Sequence, residues 1–171
     1  MTRVALALAG GTLAVTLAAC ETDVPTPRER EEIVPLVRTF LVQLARAYGE
    51  LDAGALAGVG APRLLEQAGK DIELLRAGGV RLQPQLVSVE ITDLKVLRRA
   101  NAYVACTEVW DTTRFDSTSG EMVGRDSAST LHSHIQLKRV EGAWMVLYRE
   151  VEETATGPRL VVPTAAPRAG S

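Results

Sequence analysis

The chain has 171 residues, 46% of them hydrophobic, with 19 Lys and Arg against 21 Asp and Glu and a formal net charge of −2. That length and apolar content suit one folded domain with a real core rather than a disordered chain. The weakly acidic, mixed-sign balance excludes a nucleic-acid-binding surface built on a basic block, and no basic amphipathic helix marks a second membrane contact. In chain order, Arg3 is followed by an uncharged, Ala- and Gly-rich run from Val4 to Ala19. One cation ahead of an apolar run too short to span a bilayer comfortably is the pattern of a secretory signal peptide, assigned to residues 1–19.

That run ends in Leu17-Ala18-Ala19-Cys20. These residues resemble the lipobox of bacterial lipoproteins, in which a leucine and two small residues precede a cysteine. The resemblance implies that the Cys20 thiol takes a diacylglyceryl group and becomes the first residue of the mature chain. Small side chains at Ala18 and Ala19 leave the backbone open to the peptidase, and sulfur supplies the nucleophile. Two or more acyl chains anchor stably where one does not. Residue 21 is Glu, not the aspartate that favours inner-membrane retention in that family. Localisation is therefore expected at the cell membrane or outer membrane, on the extracytoplasmic side. Residues 20–28 form the lipidated cysteine and a short linker.

The folded domain is expected over residues 29–152. Thr26-Pro27-Arg28-Glu29 carries a capping-box signature: a threonine cap, proline at the first helical position and glutamate three after the cap. Ile33, Leu36, Val37, Phe40, Leu41, Leu44, Ala47 and Tyr48 then recur at helical spacing. Pro35 predicts either a kink or a later start near Val34. After a connector with a short turn at Ala53–Ala57, a second helix is bracketed by Pro62 and by Gly78-Gly79. Its apolar face carries Leu64, Leu65, Ala68, Ile72 and Leu75. From Leu86 to Thr92 the residues alternate as a half-buried strand does. Ala102 to Phe115 predicts a second strand, Asp116 to Gly124 a hairpin loop, and Asp126 to Val140 a third strand. Glu141-Gly142 predicts a tight turn before a fourth strand from Ala143 to Glu152. Residues 153–171, dominated by Pro, Ala, Gly and Ser, read as a disordered tail.

Helices first and an antiparallel meander after them imply an α+β fold, two or three N-terminal helices packed on a four-stranded antiparallel sheet. This order of elements, with Gly142-Ala143-Trp144-Met145-Val146 opening the last strand, resembles the nuclear-transport-factor-two-like (cystatin-like, SnoaL-like) superfamily. The resemblance implies a sheet curled into a cone, a tryptophan of the last strand packed against the helices, and a pocket that holds a proton-moving side chain in enzymatic members. The superfamily hosts enzymes and binding domains alike, so the fold alone does not name a function.

His132 and His134 are the only histidines. Two apart in a strand, they share one face with Thr130 and Gln136, opposite Leu131, Ile135 and Leu137. That alternation puts them on the solvated or interface side. A third ligand from Asp111 or Glu108 would complete a metal site, but His-x-His alone does not define one, and neither metal nor cofactor is expected. Cys106, Glu108, Trp110 and Arg114 share a strand face. A buried Glu108 would have a raised pKa and could act as a general base; the preferred alternative either pairs it with a core arginine such as Arg114, because buried charges are usually paired, or has a bulge turn it outward. Cys106 has no free cysteine partner and reads as a small core residue. Phe40, Tyr48, Trp110, Trp144 and Tyr148 read as core aromatics.

No catalytic set emerges. The expected function is a membrane-anchored lipoprotein whose domain binds a small ligand, an envelope protein or a second copy of itself without catalysing a reaction. The alternative is a small isomerase- or dehydratase-like enzyme acting on a hydrophobic substrate within the cone.

Overall fold

The computed structural model describes residues 24–152; the expected signal peptide, Cys20 and the expected tail from residue 153 lie outside them. The first helix, α1, spans Pro27–Glu50. Both arms of the predicted capping box form: Glu29 N–H donates to Thr26 Oγ1 at 3.2 Å, and Thr26 N–H donates to Glu29 Oε2 at 2.9 Å. The helix neither starts late nor stops at Pro35. Pro35 sits on the exposed side, where the carbonyl left without its donor can be hydrated. An interior proline costs about 3 kcal/mol. Burial of Ile33, Val37, Phe40 and Leu41 on either side of it, worth about 1.5–3 kcal/mol each, exceeds that cost.

A 3-10 turn at Ala53–Leu56 and α2 at Pro62–Ala77 follow. The sheet is a meander of β1 (Val80–Leu97), β2 (Asn101–Asp116), β3 (Met122–Val140) and β4 (Ala143–Val151), antiparallel throughout and ordered β1-β2-β3-β4. The α+β expectation holds. The strands run longer than alternation alone indicated, because bulges interrupt the period without ending the pairing. Val87 and Thr92 are extra residues in β1, Val123 in β3 and Leu147 in β4. Each bulge bends its strand and increases the local twist, and together they curl the sheet around the helices.

The inner face of that curl and the apolar faces of the helices form one core. It includes Phe40, Leu41, Val104, Trp110, Ile135, Trp144 and Val146. The connector between the two helices also covers part of the β4 edge. Ala61 N–H donates to Val146 O and Val146 N–H to Val59 O, each at 2.8 Å. A side chain at Gly60, at the centre of this strap, would force neighbours to move, since its Cβ would lie 2.8 Å from a Leu64 methyl and 2.9 Å from a Leu65 methyl. Closing an edge in this way removes a template for unwanted strand pairing. Among the described residues no helix is long and apolar enough to cross a membrane.

Candidate functional site

The inner face of β2 carries Cys106, Glu108 and Trp110, all buried, and β3 adds buried Ser133 opposite Cys106. The fifth member comes from β4. Trp144 and Val146 face inward, and strict alternation would send Tyr148 inward and Arg149 outward. The bulge at Leu147 reverses the parity: Val146 pairs with Leu137, but Tyr148 pairs with Gln136 and Arg149 with Ile135. Arg149 therefore points into the cone, and Tyr148, read from the sequence as core, is 40% exposed.

Glu108 is wholly buried, and its carboxylate is saturated. Oε1 accepts from Ser133 Oγ, from Arg149 Nε at 3.1 Å and from the Cys106 thiol at 3.7 Å; Oε2 accepts from Trp110 Nε1 and from Arg149 Nη2, both at 2.6 Å. Arg149 grips both oxygens, the fork geometry that gives the strongest charge-assisted pairs. Burial pushes the Glu108 pKa up, but the Arg149 guanidinium, Ser133 and Trp110 together outweigh it and hold the carboxyl below its ordinary value. The raised pKa a general base requires is thus absent. The expectation that Glu108 is paired is met, but by Arg149 and not by Arg114, whose guanidinium reaches Asp126 at 3.2 Å.

Cys106 lies 3.2 Å from Ser133 Oγ. Burial, reinforced by the Glu108 charge, pushes its thiol up to about 11. It is therefore an unreactive thiol at neutral pH, because the thiolate is the nucleophilic form. Near this cluster the Tyr48 hydroxyl donates to Asp71 Oδ2 at 3.0 Å. Burial and then the Asp71 charge push its pKa upward, so this phenol is a fixed donor.

His132 and His134 lie on the outer face and are exposed. His132 Nδ1 is 3.1 Å from Thr107 Oγ1, and His134 Nε2 is 2.6 Å from Glu152 Oε1. Glu108 is on the opposite face of the sheet, and Asp111 accepts from Ala128 N–H at 2.7 Å. The four residues do not converge, and among the described residues no group of three or more His, Cys, Asp or Glu is arranged to hold a metal. A cleft of about 220 Å³ lies outside the cone, between α2 at Arg63, Gln67 and Lys70 and β4 at Leu147 and Tyr148.

No protein-family model matches the chain, and no curated protein matches it. Solved structures do. The intermembrane space region of the chloroplast protein ARC6 aligns with a TM-score of 0.63 at 15% identity, covering 77% of this chain and 99% of that one. A ketosteroid isomerase-like protein from Erwinia carotovora atroseptica aligns at 0.51 and 12% identity, covering 75% and 100%. A protein of unknown function with a cystatin-like fold from Nostoc punctiforme aligns at 0.45 and 12%, covering 78% and 96%. Two helices on a curled four-stranded antiparallel sheet form a cone-like α+β fold, shared with the ARC6 region and the ketosteroid isomerase-like protein. Likeness at these identities defines the fold and not the activity.

Proposed function

We propose that the protein is a lipoprotein of the bacterial cell envelope, held to a membrane through acylated Cys20, and that its cone-shaped domain binds a partner without catalysing a reaction. The anchor reading is supported by Leu17-Ala18-Ala19-Cys20 behind an uncharged apolar run. The non-enzymatic reading rests on one observation above all: the inward carboxylate Glu108 has its oxygens occupied by Arg149, Trp110, Ser133 and Cys106. An isomerase or dehydratase in this cone would need an inward acid or base free to exchange a proton, and Glu108 lacks that freedom. The test is the intact mass of the protein recovered from the membrane fraction of expressing bacteria, beside its Cys20→Ser variant. The expected wild-type chain begins at residue 20, carries the added mass of acyl chains and partitions with membranes. The variant should carry none of that mass. A wild-type chain without acyl mass would overturn the anchor reading.

A further inference from the structure

The strap closes the β4 edge along only part of its length. Among the described residues, β4 pairs with β3 and, on its other side, only with Gly60 through Val146. Both main-chain groups of Val146 go to the strap, which ends where Pro62 starts α2. Further along, Glu152 N–H donates to His132 O. No register shift falls between Tyr148 and Val151, so backbone direction alternates through this stretch. Glu150 turns its main-chain groups toward β3, and Arg149 and Val151 turn theirs to the open edge. The strap shows that this edge accepts an extended segment. Beside it stands α2, and the cleft of about 220 Å³ between Arg63, Gln67 and Lys70 and Leu147 and Tyr148 offers room for side chains of a further strand. A groove between a strand edge and a helix takes an extended chain by strand addition.

The chain itself supplies a segment placed to fill this groove. It leaves β4 at Val151. Residues 153–171 are dominated by small residues and proline, but they hold one apolar run, Leu160-Val161-Val162. Branched apolar residues suit a pleated, half-buried surface. Gly157-Pro158 ahead of the run is a turn signal, and Pro163 behind it ends a ladder because it has no N–H to donate. The seven residues 153–159 reach up to about 23 Å. The path back along β4 from Glu152 to Leu147 is shorter, roughly 17 Å. The other sheet edge, β1, is a poorer host. It carries Pro84 and bulges at Val87 and Thr92, which blunt an edge, and it lies at the opposite side of the sheet. Charge does not select the occupant: Arg63 and Lys70 balance Glu66 and Glu150 around the cleft and its edge. Backbone hydrogen bonds and apolar packing carry the contact.

We propose that Leu160-Val161-Val162 folds back antiparallel to β4 as a fifth strand, hydrogen-bonded to the main chain of Arg149 and Val151 and packed against Leu147 and α2. The short tether gives the run a high effective concentration at the edge, so it docks where a free peptide of its length would not. The added strand completes the closure that the strap begins and covers an edge open to pairing with other chains. The inference is independent of the anchor at Cys20.

The test is NMR of the whole chain as the cell processes it, in mild detergent, beside the double variant L160P/V161P. Of two neighbouring residues one faces the partner strand, so adjacent prolines break the pairing in either register. Both substitutions lie beyond β4, and unchanged exchange at Val104 and Ile135 confirms an intact sheet. The amides of Arg149 and Val151 should exchange about tenfold more slowly in the wild-type chain than in the variant. Backbone cross-peaks should connect residues 147–151 with 159–163 in the wild type alone. Equal exchange in the two proteins, or no such cross-peaks, would overturn the inference. In a mixture of differently labelled chains, cross-peaks between chains would also overturn it, by giving the edge to the run of a second copy.

Discussion

The two faces of β2 and β3 carry the same kinds of residue to opposite ends. On the outer face His132 and His134 meet Thr107 and Glu152 in water. On the inner face, one residue away in the strand, Glu108 and Ser133 sit wholly buried with Arg149. Titratable groups draw attention wherever they occur, but burial and partners decide what they can do. The inner carboxylate is closed by five contacts, and the outer imidazoles are open but bring no third group to a common point. Among the described residues neither face brings three titratable groups to a common point, and the difference between the faces is structural: removing an inner partner should matter greatly and removing an outer histidine very little.

The largest effect is expected at Arg149. Arg149→Met leaves Glu108 buried without its cation, which costs about 3–5 kcal/mol in urea unfolding. Replacing both partners with apolar residues, Glu108→Leu with Arg149→Met, should recover a substantial part of that loss; a double variant as unstable as the single one would show that the pair is not a unit. The pH dependence follows with a definite sign. The folded-state pKa of Glu108 lies below its ordinary value of 4.5. Its stabilising contribution is therefore complete above that value and is lost as pH falls through the lower folded value. Glu108→Gln should flatten the acid limb of the stability curve, and an unchanged limb would contradict the assignment.

Two smaller effects probe the end of the domain where α1 begins. Thr26→Ala removes one arm of the capping box and should destabilise by about 1 kcal/mol. Arg98→Gly relieves a left-handed residue and should stabilise by about 1 kcal/mol, read as a raised unfolding midpoint. His132→Ala with His134→Ala should move stability by less than about 0.5 kcal/mol, as exposed substitutions do. A loss several times that size would place the histidines in a load the outer face does not show.

How much of this could be read in advance depended on whether the relevant signal was local. Thr26-Pro27-Arg28-Glu29 and Gly78-Gly79 are local, and they marked the helix ends. The alternation of Leu131, His132, Ser133 and His134 is local, and it placed the histidines outside. Pro35 was ambiguous because tertiary burial, not propensity, carries α1 through it. The identity of Glu108's partner was not legible, because it depends on the single extra residue Leu147, which no composition signal marks and which turns Arg149 in and Tyr148 out. The only hint was that a buried carboxylate demands a cation, and Arg114, on the same strand face, was the nearer choice.

The most direct measurement is a carbon-13 NMR titration of the Glu108 side-chain carboxyl in the folded protein. A midpoint below the ordinary carboxylate range, rising in Arg149→Met, is the predicted result and marks a permanently charged, closed ion pair inside the cone. A midpoint near neutrality would contradict it and would restore Glu108 as a group able to move protons.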